Sequence, residues 1–143
     1  MFSELIKRLE SGDGADRELD ILVWGVLHGY RPALARHGQS IVGRRDSHAD
    51  ETLAHLHDGQ WLPYALEIGR YTASRNACAA LQEEVLPGWS CELLFVPATA
   101  HVPAIGKATL SDGSSNQITA GGYGTSVCRA HLITILRARE AQD

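Results

Sequence analysis

Aromatic residues make up only 6% of the chain, although 44% of it is hydrophobic. A core must therefore be built mostly from Ala, Leu, Val and Ile. No run approaches the ~18 apolar residues of a membrane span, which excludes a membrane partner of the helical kind. There is no basic patch. The formal net charge is -4, and the one short pair, Arg44-Arg45, is followed by Asp46, Asp50 and Glu51. Nucleic-acid binding draws on released counterions and needs clustered Lys and Arg, so no nucleic-acid partner is expected. Cysteines are few: Cys78, Cys91 and Cys128. Their odd number, wide spacing and apolar neighbours read as buried free thiols in a reducing compartment. The opening MFSELIKRLE lacks the apolar core and small-residue cleavage site of a secretory signal. A cytoplasmic location is expected.

The 143 residues suit one domain, long enough to bury roughly two-thirds of its unfolded surface without metal or disulfides. Ser3 is placed to cap a helix through about Glu10, stopped by SGDG at 11–14. Leu19, Leu22, Val23, Val26 and Leu27 recur at helical spacing and predict a second helix over about 15–28. Residues 30–60 show no clear period and read as a variable, loop-rich excursion, with a short helix possible over about 49–57. WLPYALEI at 61–68 reads as extended, and Pro63 restricts it to an edge. Thr72 or Ser74 starts a helix to about Leu86, ended by Pro87-Gly88. Strands follow near 89–95, 104–110 and 116–120, with SDGSS at 111–115 as a turn. A last, deeply packed helix runs over about 126–139. No βαβ unit repeats. The expectation is an α+β fold, a single domain over 1–143, with an antiparallel sheet of three to four strands packed between helices as an α/β/α sandwich.

Three stretches carry a family likeness: LIKRLESGDGADRELD at 5–20, YTASRNACAAL at 71–81 with LPGW at 86–89, and the C-terminal helix ending LRARE at 136–140. Together they resemble the phage α/β/α (ABA) sandwich domain family of small phage and prophage proteins. The likeness spans both ends and the middle. It departs at 30–60, at Asn76, where the family usually shows an acidic residue, and at Ser126, where it often has Pro. The resemblance implies this fold and a phage or prophage setting, and it carries no catalytic residues to these positions.

The chemistry-bearing candidates are few. GGYGTS is the most suggestive: Gly121, Gly122 and Gly124 let backbone approach a ligand, Thr125 and Ser126 add hydroxyls, and Tyr123 adds a ring. Amides at the start of the following helix favour an anion. No Walker lysine follows, and the alternative is a plain helix-start loop. Trp61, Tyr64 and Trp89 mark a pocket, a subunit interface or core packing. His48, His55 and His57 lie near acidic residues, but on a helix positions 55 and 57 point apart, so no metal is assigned. Cys128 and His131 stand three apart on the last helix, as a thiol and base could, yet core packing is the expected role of such a cysteine. No catalytic residue and no cofactor is assigned.

The leading expectation is a non-enzymatic accessory protein, an interaction module binding itself as a homo-oligomer or a host protein. The alternative is an oligomeric binder of a small anionic ligand, a sponge for a nucleotide signal in host defence. A cysteine-based or metal-dependent enzyme is a distant third.

Overall fold

The computed structural model describes residues 2–12, 14–35, 38–45 and 49–142. Two helices come first, α1 (Ser3–Glu10) and α2 (Arg17–Leu27). Four strands follow: β1 (Arg31–Leu34), β2 (Ser40–Arg44), β3 (Glu51–His57) and β4 (Gln60–Pro63). Then come α3 (Arg75–Val85), β5 (Ser90–Val96), β6 (Ile105–Ser111), β7 (Gln117–Tyr123) and α4 (Val127–Gln142). The strands form two antiparallel meanders, ordered β1-β2-β3-β4 and β5-β6-β7. The expected α+β class and the expected three-strand run hold. A second sheet exists, and the helices connect the two: α4 packs on β6 and β7, α2 on β1, β3 and β4, α1 joins α2 to α4, and α3 packs on α4.

The excursion is the main correction. The excursion carries β1, β2 and β3 and the start of β4, and the helix possible over 49–57 is instead strand β3 from Glu51 to His57. Asp58 and Gly59 both take positive φ, 50° and 75°, which fits the right-handed twist of a two-residue hairpin turn. Ile41, Leu53 and Ala54 from this sheet are buried in the core. The extended stretch expected at 61–68 ends sooner, at Pro63, on the sheet edge. At α1 the expected cap is also corrected. Phe2 holds the N-cap position with no side-chain bond, and Ser3 is the first helical residue. The proposed cap at 72 or 74 resolves to Ser74, whose Oγ accepts from the Ala77 amide at 3.1 Å.

Buried polar groups tie the layers together. Asp20, 2% exposed, accepts at 2.8 Å from both the amide and the hydroxyl of Thr72 and at 3.3 Å from Arg17. Arg17 also donates to the carbonyls of Gly69 and Ile68 at 2.7 and 3.0 Å. Arg129 on α4, 5% exposed, donates to the carbonyls of Arg8, Leu9 and Gly14. It thus supplies donors and positive charge to the C-terminal end of α1, where unpaired carbonyls favour a cation.

Candidate functional site

The strand β5 is the least covered apolar element. It lies at the edge of its sheet and pairs with β6 in seven consecutive residue pairs, from Ser90↔Ser111 to Val96↔Ile105, without a bulge. Successive side chains of a strand point to opposite faces. Cys91, Leu93 and Phe95 face the helices, opposite the buried Leu110, Ala108 and Gly106. Glu92, Leu94 and Val96 face outward. Yet Leu93, Leu94, Phe95 and Val96 are 41, 50, 52 and 40% exposed. Apolar surface is therefore open on both faces of one edge strand. Tyr123 extends the outer side, since it pairs with Ile105, the partner of Val96, and is itself exposed.

The other members of GGYGTS serve packing. Gly121–Tyr123 form the end of β7 rather than a loop. Gly121 has φ 103°, and a Cβ there would meet the Gly106 carbonyl oxygen at 2.1 Å. The Gly124 amide donates to Ala104 at 2.7 Å and the Thr125 amide to Gly122 at 3.3 Å. Ser126 Oγ accepts from the Arg129 amide at 3.1 Å. Three donors that an anion could have used are thereby engaged within the chain.

The three aromatic candidates are not brought together. Trp61 lines a surface cavity of about 610 Å³ with Asp16, Arg17, Glu18 and Arg70. Arg17 there is held by carbonyls and Asp20, and Glu18 pairs with Arg8. Tyr64 is exposed and meets the His55 ring edge-on at 5.0 Å. Trp89 lies at a separate cavity with Asp112 and Ile118.

His55 and His57 do share a strand, β3, and so a face. His55 Nδ1 lies 3.0 Å from Ser40 Oγ, and His57 pairs with Asp58 at 3.3 Å. His48 lies outside the described residues. Among the described residues, no group of three His, Cys, Asp or Glu is placed to hold a metal ion, and no helix is long and apolar enough to cross a membrane.

His131 turns to Gln82 rather than to Cys128. Gln82 Nε2 donates to the Trp89 carbonyl at 2.9 Å, so Gln82 presents Oε1 to His131 Nε2 at 2.6 Å. A carbonyl oxygen only accepts, so His131 carries its proton on Nε2. Its Nδ1 is buried without a partner. Burial pushes the imidazole down from 6.5 to about 4. Between those values the unfolded chain binds a proton that the folded chain does not. The stability this residue contributes is complete above about 6.5 and is lost as pH falls toward 4. From about pH 7 to about pH 5 the loss is about 2 kcal/mol. Urea melts at both pH values should show it, and His131→Gln should abolish most of the difference.

No family model matches the chain, and neither a curated protein nor a solved structure matches it.

Proposed function

We propose that this protein is a non-enzymatic interaction module that self-associates through β5. The carrying observation is the apolar run Leu93–Val96, exposed on both faces of an unguarded edge strand. Natural edges are blunted by Lys, Pro, bulges or short length. SCELLFV has none of these, and its only charge is Glu92. An edge of this kind offers its unpaired backbone groups to another strand.

The strand is complementary to itself. An antiparallel pair related by a two-fold perpendicular to the sheet sets one residue opposite its own copy. With Leu93 at the axis, Glu92 stands opposite Leu94 of the second copy, and the next residue in that row is the second copy's Lys107. Two strand spacings, about 10 Å, are within reach of a long lysine side chain beside a carboxylate. No like charges stand opposite one another. The two three-stranded sheets become one of six strands, and Leu93 and Phe95 gain cover on the helix side. This reading suits the phage accessory role that a resemblance to the ABA sandwich family would imply.

Sedimentation velocity tests it. The wild-type chain should be dimeric at high micromolar concentration. Leu94→Glu should make it monomeric without loss of helix or strand signal, because in this register the new carboxylate faces Glu92 of the second copy. A wild-type monomer across that range, or an unchanged dimer in Leu94→Glu, would overturn the proposal.

A further inference from the structure

Cys78 and Cys128, far apart in sequence, meet where α3 packs on α4. Cys78 on α3 is fully buried, while Cys128 in the first turn of α4 is half-buried. The Cys78 thiol lies 3.0 Å from the Tyr71 carbonyl oxygen and 3.7 Å from that of Cys128. The Cys78 sulfur thus touches the Cys128 residue where α3 meets α4.

Their environments differ in a way that divides the labour. Cys128 sits in the first turn of a helix and feels the positive charge of Arg75; such surroundings favour a thiolate. Its thiol is lowered to about 7, first by its interaction with Cys78 and then by Arg75, against burial. Cys78 is pushed up, by that same interaction and by burial, and so stays protonated. Cys91 is also raised, by burial. One half-exposed thiolate beside one buried thiol is the arrangement of a reacting and a resolving cysteine.

We propose that Cys128 is a hydroperoxide-reactive thiol and that Cys78 resolves it into an internal disulfide joining α3 to α4. The Cys128 thiolate attacks one peroxide oxygen. The O–O bond breaks, the sulfur is oxidised to a sulfenic acid, and the departing alkoxide, or hydroxide from hydrogen peroxide, takes back from solvent the proton that Cys128 had released, giving an alcohol or water. The Cys78 proton passes to the sulfenic oxygen, and the Cys78 thiolate so formed attacks the Cys128 sulfur. The S–S bond forms and the S–O bond breaks, with the oxygen leaving as water. The net change is two thiols and one hydroperoxide to one disulfide, one alcohol and one water. None of this depends on self-association.

The test is hydrogen peroxide treatment of the folded protein, followed by alkylation under denaturing conditions and peptide mass mapping. The expected product is a Cys78–Cys128 cross-link within one chain, with Cys91 alkylated. In Cys78→Ala the oxidised Cys128 should persist as a sulfenic acid trapped by dimedone. In Cys128→Ala, Cys78 should remain reduced at the same dose. Oxidation of Cys91 ahead of the pair, equal oxidation of Cys78 without Cys128, or inert thiols in the wild type would each overturn the proposal. The wild-type map decides even where a variant fails to fold.

Discussion

Asp20→Ala is expected to lower the unfolding free energy by about 3–5 kcal/mol. The carboxylate is almost fully buried and receives the Thr72 amide, the Thr72 hydroxyl and the Arg17 guanidinium. Removing it strands a buried donor and leaves a largely buried cation without its counter-charge. Arg17 keeps only the carbonyls of Gly69 and Ile68. A domain of ordinary stability has about 5–15 kcal/mol in total, so the variant should be near the limit of folding. Asp20→Asn keeps the acceptor for Thr72 while removing the charge, and its loss should fall between wild type and Asp20→Ala. Urea denaturation followed by circular dichroism measures all three. A loss below about 1 kcal/mol in Asp20→Ala would show that water replaces the carboxylate and that the clasp carries little of the fold.

That clasp joins two stretches that lie far apart in the sequence. ADRELD at 15–20 and YTAS at 71–74 are one structural unit. Asp16 caps α2 by accepting from the Leu19 amide at 3.1 Å. Its own amide donates to Thr72 Oγ1 at 2.7 Å, while Asp20 takes the other side of Thr72. The helical periods of both segments were legible, because apolar side chains at 3.6-residue spacing report on local structure. The bond between residues 52 apart was not, since no periodicity encodes it. Thr72 therefore read as a cap, which is what Thr most often does before a helix. The last helix behaves alike: its Arg129 reaches back to α1 and Gly14. These motifs mark an architecture.

The four-stranded sheet was hidden for a different reason. In β3, Leu53 and Ala54 are both buried although they are neighbours. The partner strand shifts register between Ile41 and Val42, and a bulge of this kind breaks the alternation that would identify a strand. With Leu53 and Leu56 three apart, the segment imitates a helix. Asp58-Gly59 was the legible signal, a dipeptide suited to a hairpin turn. At β5 the signal was also present. Ser90 and Glu92 are polar on the outward face, and Leu94 and Val96 are not. A strand whose solvent side turns apolar halfway along needs a cover, and sequence alone does not tell whether the chain itself provides it. Cysteine proximity was illegible, because Cys78, Cys91 and Cys128 sit on three different elements.

Gly106→Ala tests the joint beneath the reactive cysteine and should cost about 3 kcal/mol or more. A Cβ on Gly106 would stand 2.2 Å from the Thr125 carbonyl oxygen, 2.8 Å from the Val127 amide nitrogen and 2.9 Å from the Ser126 carbonyl carbon. All three are backbone atoms, so no side-chain rotation relieves the overlap, and β6 must withdraw from the start of α4. Two buried surfaces would separate there, for α4 is the central helix, buried over Ala130, Leu132, Ile133, Ile135 and Leu136. Gly113→Ala is the control. Gly113 has φ 86° and nothing within 4 Å of an added Cβ, so only the left-handed backbone penalty applies, about 1–2 kcal/mol. Thermal and urea unfolding should place Gly106→Ala clearly below Gly113→Ala. If the two lose equal stability, the sheet and α4 have room to slide, and the close approach of Gly106 to the GGYGTS turn is not what fixes their contact. If the expected order appears, the glycine at position 106 exists for the space it leaves, and the first turn of α4, with Cys128 in it, is held in place by that space.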